Sequence, residues 1–198
     1  NVIYIMNESF ADPLELVGLD LQTDPIPFTR ALMDTSYSGE LLSQGYGGGT
    51  ANIEFEALTG FSMEPFAANI TTPYTQFLSS RDNFPSIVSR LEQAGFRTTA
   101  IHPYNTTMYK RLENYEALGF DTFLYEDTMA NTAKLDTNPY ISDAAAYAEI
   151  TAILKASAEK DFIHLVTMQN HTPYQDKYTA TPSAAETGIV SQSIRNYL

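Results

Sequence analysis

Four short stretches of this sequence combine residue types that can do chemistry. The first, Asn7-Glu8-Ser9-Phe10, sets a carboxylate directly behind an apolar run, Asn1-Val-Ile-Tyr-Ile-Met6. A carboxylate in that place can reach a hard cation, since such ions take oxygen ligands; the plain alternative is an acidic residue solvated on a loop. The second stretch is Gly45-Tyr-Gly-Gly-Gly-Thr50, running into Ala-Asn-Ile-Glu-Phe-Glu56. Glycines permit close backbone approach, and a helix starting behind them would turn free N–H groups and its positive end towards an anion. Thr50 stands where either a helix N-cap or a nucleophile would stand. No Lys follows the glycines with phosphate-loop spacing, and the spacing and acidic residue of a dinucleotide fingerprint are missing as well.

The third stretch is His102-Pro-Tyr-Asn-Thr-Thr-Met-Tyr109-Lys-Arg111. An arginine in the first turns of a helix can grip a phosphate with its planar fork, or it can simply lie on the surface. The fourth is Asn170-His171-Thr-Pro-Tyr174, in which His171 can bind a substrate oxygen or serve as an acid. His164 lies in the middle of an apolar run and reads as structural.

The elements that must position these groups alternate in type. Asn1–Met6 is a short apolar run of the kind found in buried parallel strands. The stretch after it reads as loop, punctuated by Pro13, Pro25 and Pro27. Helical spacing is expected from Thr50 to about Phe61, over Phe84–Ala94, over Met108–Leu118 and over Ser142–Ala158. Strands are expected at Phe96–His102, Asp121–Tyr125 and Asp161–Gln169. Strand and helix in turn imply βαβ crossovers and a mostly parallel central sheet flanked by helices, an α/β fold. In such sheets ligands collect beyond the carboxyl ends of the strands, which points at Glu8, His102 and the Asn170-His171 pair. The chain opens inside a strand and closes inside a helix with Val190, Ile194 and Tyr197/Leu198 on one face, which reads as the N-terminal portion of a domain truncated at its C-terminus.

Composition removes several classes. With 24 acidic against 11 basic side chains the net charge is −13, and no basic patch suits nucleic acid. A phosphate or sulfate ester would need a local positive charge, for which a metal ion is the natural source. The absence of cysteine excludes disulfides, zinc–thiolate sites and thiol nucleophiles. No apolar run approaches the roughly 20 residues that cross a bilayer, and none of the sequence reads as a signal peptide.

Taken together and in order, Asn-Glu-Ser-Phe, Gly-Gly-Gly-Thr-Ala-Asn-Ile-Glu-Phe-Glu with Leu58-Thr59-Gly60 behind it, His102 through Arg111 to Gly119, and Gln-Asn-His-Thr-Pro-Tyr form a pattern. It resembles that of lipoteichoic acid synthases and related phosphoglycerol transferases, in the sulfatase-like branch of the alkaline phosphatase superfamily. The resemblance spans nearly the whole chain and implies one sulfatase-like catalytic domain over residues 1–198. It implies that Glu8 is a metal ligand, and that Thr50 is both a metal ligand and the nucleophile. Arg111 and His171 would hold substrate; Tyr109, where relatives often carry Trp, would form an aromatic wall. The metal would be manganese, with magnesium as the alternative. The reaction implied is transfer of phosphoglycerol from phosphatidylglycerol to a cell-envelope glycopolymer through a covalent Thr50 intermediate. Its partners would be an anionic phospholipid head group and the polymer, at the extracytoplasmic face of a bacterial membrane, with the tether outside this chain.

Two departures from the pattern matter. Thr50 is followed by Ala-Asn-Ile-Glu rather than by the Pro-x-Arg context of formylglycine sulfatases, which argues against sulfate ester hydrolysis by that chemistry. The Asp-His pair with which the family completes its metal shell is missing after His171, so the chain alone is expected to be inactive. A phosphoethanolamine transferase, a phosphodiesterase, a sulfuric ester hydrolase and a catalytically silent domain are the competing readings on the same fold.

Overall fold

The computed structural model of the protein describes residues 1–16, 18–19, 21, 23–43, 45, 48–183, 187, 189 and 191–197. Its elements run β1 (Val2–Met6), α1 (Pro27–Thr35), α2 (Thr50–Thr59), α3 (Pro73–Gln76), α4 (Ile87–Gln93), β2 (Phe96–His102), α5 (Arg111–Leu118), β3 (Thr122–Tyr125), α6 (Asp143–Ala156), β4 (Lys160–Val166) and α7 (Gln192–Tyr197). The four strands form one parallel sheet in the order β1-β4-β2-β3.

The sheet is built around β4, whose residues from Asp161 to Val166 are all buried. Alternation along that strand feeds two cores. Phe162 joins Phe55, Leu58, Tyr74, Leu78, Val88, Tyr115 and Leu118 beneath α2 to α5. Ile163 and Leu165 turn to the other face and meet Ile101, Ala146 and Ile150 under α6. Helices therefore cover both faces, as a parallel sheet requires.

Local chemistry explains most boundaries. Ser86 caps α4 in a capping box with Ser89, and the turn after it closes at Gly95, whose φ is 80°. Ser142 caps α6 by accepting from the Ala145 N–H. Four expectations need correction. Pro27 is not loop punctuation but the first residue of α1, where its missing N–H costs nothing. The helix expected over Met108–Leu118 is two pieces, a 3₁₀ turn at Met108–Lys110 and then α5, because Tyr109 and Lys110 both take positive φ (59° and 51°). β1 is an edge strand rather than a buried one, with Val2, Ile3 and Ile5 39–45% exposed. The strand after Gly119 starts at Thr122, because Asp121 instead spends its carboxylate on the Thr98 N–H and hydroxyl. Tyr46 and Gly47 of the glycine-rich turn, and Val190 and Leu198 of the last helix, lie outside the described residues.

Candidate active site

The carboxyl ends of β1, β2 and β4 open into one cleft of about 510 Å³, walled on its far side by the N-terminus of α2 and the turn before α5. Glu8, Thr50, His102, Tyr109, Arg111 and His171 all line it, so every site residue expected from the sequence reaches the same space.

Glu8 and Thr50 are in direct contact. The Thr50 hydroxyl donates to Glu8 Oε2 at 2.8 Å, and the Glu8 backbone N–H donates to Thr167 Oγ1 at 3.0 Å, which fixes the carboxylate over the end of β4. The alternative in which Thr50 is a plain N-cap does not hold. Gly49 occupies the cap with φ 84°, and its carbonyl accepts the Asn52 N–H at 2.8 Å. Thr50 is the first helical residue, which leaves its hydroxyl free to turn towards Glu8. The glycine-rich turn needs glycine for its backbone, with φ 131° at Gly48 and 84° at Gly49, while a Cβ on Gly45 would sit 2.5 Å from Ile53 Cδ1 and require that side chain to shift.

Arg111 opens α5 and is 1% exposed. Its Nη2 donates to Glu54 Oε2 at 3.0 Å, while Nε and Nη1 have no partner among the described residues. A buried guanidinium with two idle donors beside a cleft is what an anion of phosphate geometry would satisfy. Tyr109 stands against the same cation, its ring centroid 5.4 Å from the guanidinium carbon. The left-handed Tyr109–Lys110 turn is held by Asn114, whose Nδ2 donates to the Tyr109, Lys110 and Tyr74 carbonyls at 2.8, 2.9 and 3.0 Å.

Glu54 has no counterpart among the sequence candidates, and it is the hub beneath the cleft. It is fully buried, accepts from the Tyr115 hydroxyl as well as from Arg111, and lies 3.5 Å from His164 Nε2. Burial pushes its carboxyl up, but Arg111 and His164 outweigh that and bring it down to about 2. The signal that could have found it is its place in α2: Ala51, Phe55 and Leu58 mark the buried stripe, and a carboxylate at position 54 falls on that stripe. His164 does prove to be a buried core residue.

His102 is 2% exposed; its Nδ1 donates to the Val166 carbonyl at 3.1 Å, which leaves Nε2 as a bare acceptor at the cleft. Burial, seconded by the Arg111 charge, lowers its pKa to about 3, so the ring is neutral at physiological pH. His171 sits at the rim, its Nδ1 donating to the Thr172 carbonyl at 2.7 Å and its ring 5.7 Å from that of Tyr140. Asn170 Nδ2 reaches the Ser9 carbonyl at 3.4 Å, tying this loop to the one that carries Glu8.

As a metal centre the arrangement offers two hard oxygen donors, the Glu8 carboxylate and the Thr50 hydroxyl, and a carboxylate–alcohol pair suits manganese or magnesium. Among the described residues no group of three or more His, Cys, Asp or Glu gathers to complete such a shell.

Comparison with known proteins bears on the family and the fold. The sulfatase family model matches residues 1–198. A protein of Rhizobium meliloti (strain 1021), whose name provisionally assigns it to cyclic beta-1,2-glucan modification, is 34% identical over all 198 residues of this chain, which cover 30% of that protein. The Streptococcus pyogenes phosphoglycerol transferase GacH, solved in complex with sn-glycerol-1-phosphate, superposes with a TM-score of 0.81 at 26% identity, over 99% of this chain and 53% of its own. The Listeria monocytogenes lipoteichoic acid synthase LtaP shares the fold with a TM-score of 0.77 at 22% identity, over 100% of this chain and 47% of its own. The chain thus spans about a third of its curated relative and about half of each solved structure. No helix among the described residues is long and apolar enough to cross a membrane.

Proposed function

The chain belongs to the sulfatase family, in the alkaline phosphatase superfamily, and from that premise we propose that it carries the nucleophile half of a metal-dependent phosphoglycerol transferase. The donor is phosphatidylglycerol, the acceptor a cell-envelope glycopolymer, and the setting the extracytoplasmic face of a bacterial membrane, reached by a tether outside this chain. The observation that carries the reading is the meeting of the Thr50 hydroxyl with Glu8, at 2.8 Å, in the same cleft as the idle donors of buried Arg111.

In this reading Thr50 Oγ attacks the phosphodiester phosphorus. The new Oγ–P bond replaces the bond from phosphorus to the diacylglycerol oxygen, which leaves as the alcohol, the proton that it gains balancing the one that the Thr50 hydroxyl gives up. An acceptor hydroxyl then attacks the phosphoglyceryl group and frees Thr50. Arg111 Nε and Nη1 hold two phosphate oxygens, and the N-terminus of α2 adds its dipole to the developing charge. Glu54 keeps Arg111 in place without entering the cleft. The neutral Nε2 of His102 accepts a hydroxyl from the substrate, and Tyr109 and His171 close the two sides. Glu8 and Thr50 would hold manganese or magnesium, which when bound acidifies the hydroxyl and offsets the phosphate charge in a protein of net charge −13. The sugar polymer in the Rhizobium meliloti relative's name supports a glycan acceptor.

The test is diacylglycerol release from phosphatidylglycerol vesicles by the complete polypeptide with manganese, beside its Thr50→Ala variant. Release by the wild type and none by the variant establishes donor and nucleophile together. Release by neither, with manganese shown to be bound, rejects phosphatidylglycerol as the donor.

A further inference from the structure

Beyond the cleft, one buried cation, Lys177, makes no salt bridge among the described residues, although the charge of Asp143 acts on it. Lys177 is 1% exposed. Its Nζ donates to the Gln169 carbonyl at 2.7 Å and to the His171 carbonyl at 2.6 Å. The rest of the ammonium faces rings: the Tyr140 and Tyr174 centroids lie 5.3 and 5.2 Å away. Two carbonyls and two aromatic faces surround the amine, and the Asp143 charge acts on it as well. All the groups except Tyr140 belong to the segment 169–174, so this short loop is wrapped around a charge supplied from its own C-terminal side.

We propose that Lys177 is a positioning residue that holds His171 at the cleft rim; the inference rests on the reading above, in which His171 faces the substrate. The two carbonyls are not equivalent, and that makes the role local. Gln169 O also accepts from Asn138 Nδ2 at 3.0 Å, and the Gln169 side chain accepts the Asp143 N–H at 2.9 Å. Gln169 therefore stays anchored without Lys177. Among the described residues, the one hydrogen bond to the His171 carbonyl comes from Lys177. Removing the amine leaves that carbonyl bare and takes the cation from between Tyr140 and Tyr174, of which Tyr140 is the ring packed on His171. What moves first is the residue at the rim and not the sheet behind it.

The experiment uses the complete protein with isotope-labelled histidine, comparing wild type, Lys177→Met and Lys177→Arg, with His171→Gln to assign the resonance. The expected result is that Lys177→Met shifts the His171 ring signal while those of buried His102 and His164 hold. In turnover of phosphatidylglycerol the same variant raises KM about tenfold, with kcat within about threefold, as loss of a charge-assisted bond behind a binding residue implies. Lys177→Arg, which keeps donors at that place, restores most of both. An unmoved His171 signal in Lys177→Met overturns the proposal. So does movement of all three histidine signals alike, or a Met variant that does not fold, because Lys177 would then serve general stability. A wild type that releases no diacylglycerol rejects the proposed donor instead, and the His171 signal, which needs no substrate, still decides the role of Lys177.

Discussion

Replacing Glu54 by Gln isolates the buried charge beneath the cleft. The substitution keeps shape and one acceptor oxygen but removes the negative charge that Arg111, 1% exposed, depends on. Two routes give the size of the effect. A carboxyl brought from its ordinary 4.5 down to about 2 is held in its charged form by roughly 3 kcal/mol. Breaking one side of a buried ion pair costs about 3–5 kcal/mol. Urea unfolding at pH 7 should therefore show a loss of about 3 kcal/mol, or a drop in Tm on the order of 10 °C for a chain of this size. The direction with pH is fixed as well. Because the folded carboxyl titrates below the unfolded one, its contribution is whole above about pH 4.5 and drains away as pH falls towards 2. The gap between wild type and Glu54→Gln should thus narrow on going from pH 7 to pH 3. In a cycle with Arg111→Met, the double variant should lose less than the sum of the singles. A loss under about 0.5 kcal/mol at pH 7, well below the cost of breaking a buried pair, or a gap unchanged at pH 3, would refute the assignment of Glu54 as the counter-charge.

Two further outcomes follow from the same geometry. Gly49→Ala places a Cβ at φ 84°, where its nearest neighbour, Asn52 Nδ2 at 3.8 Å, is ordinary contact, so the cost is conformational. Calorimetry should find about 1–2 kcal/mol lost, and turnover should fall further than that because the cap aims Thr50. His102 titrates near 3 when folded and near 6.5 when unfolded, so between those values the unfolded chain holds the extra proton and stability drops as pH falls. His102→Asn, which can still donate to the Val166 carbonyl, should remove about 1 kcal/mol per pH unit from the slope of stability between pH 6 and 5.

How much of this was legible in the sequence differs from residue to residue. β2 spans the predicted Phe96–His102 because a strand bounded by Gly95 and Pro103 carries its own punctuation. The rule that ligands gather at strand ends pointed at Glu8, His102 and His171, the glycine-rich turn at Thr50, a helix start at Arg111 and the family resemblance at Tyr109, and all of them line one cleft. What stayed hidden is tertiary. Glu54 meets Arg111 across 57 positions and Tyr115 across 61, which no local pattern reports. Tyr and Lys carry no signal for left-handed backbone, so the break at Tyr109–Lys110 depends on Asn114 holding both carbonyls from inside α5. Burial of β1 was misjudged because an apolar run states what a strand tolerates, not which neighbours it has.

The strand order has a consequence in time. β1 is made before β4, its sheet partner among the described residues, and the Glu8–Thr167 bond that seats the carboxylate closes a gap of 159 positions. At roughly 5–20 residues per second of synthesis, Glu8 waits about 8–30 s for the strand that places it. Until then Thr50 has no carboxylate beside it, and the apolar edge of β1 is open to any other chain in extended form. A half-made molecule thus carries its nucleophile unarmed and the edge of Val2–Met6 uncovered.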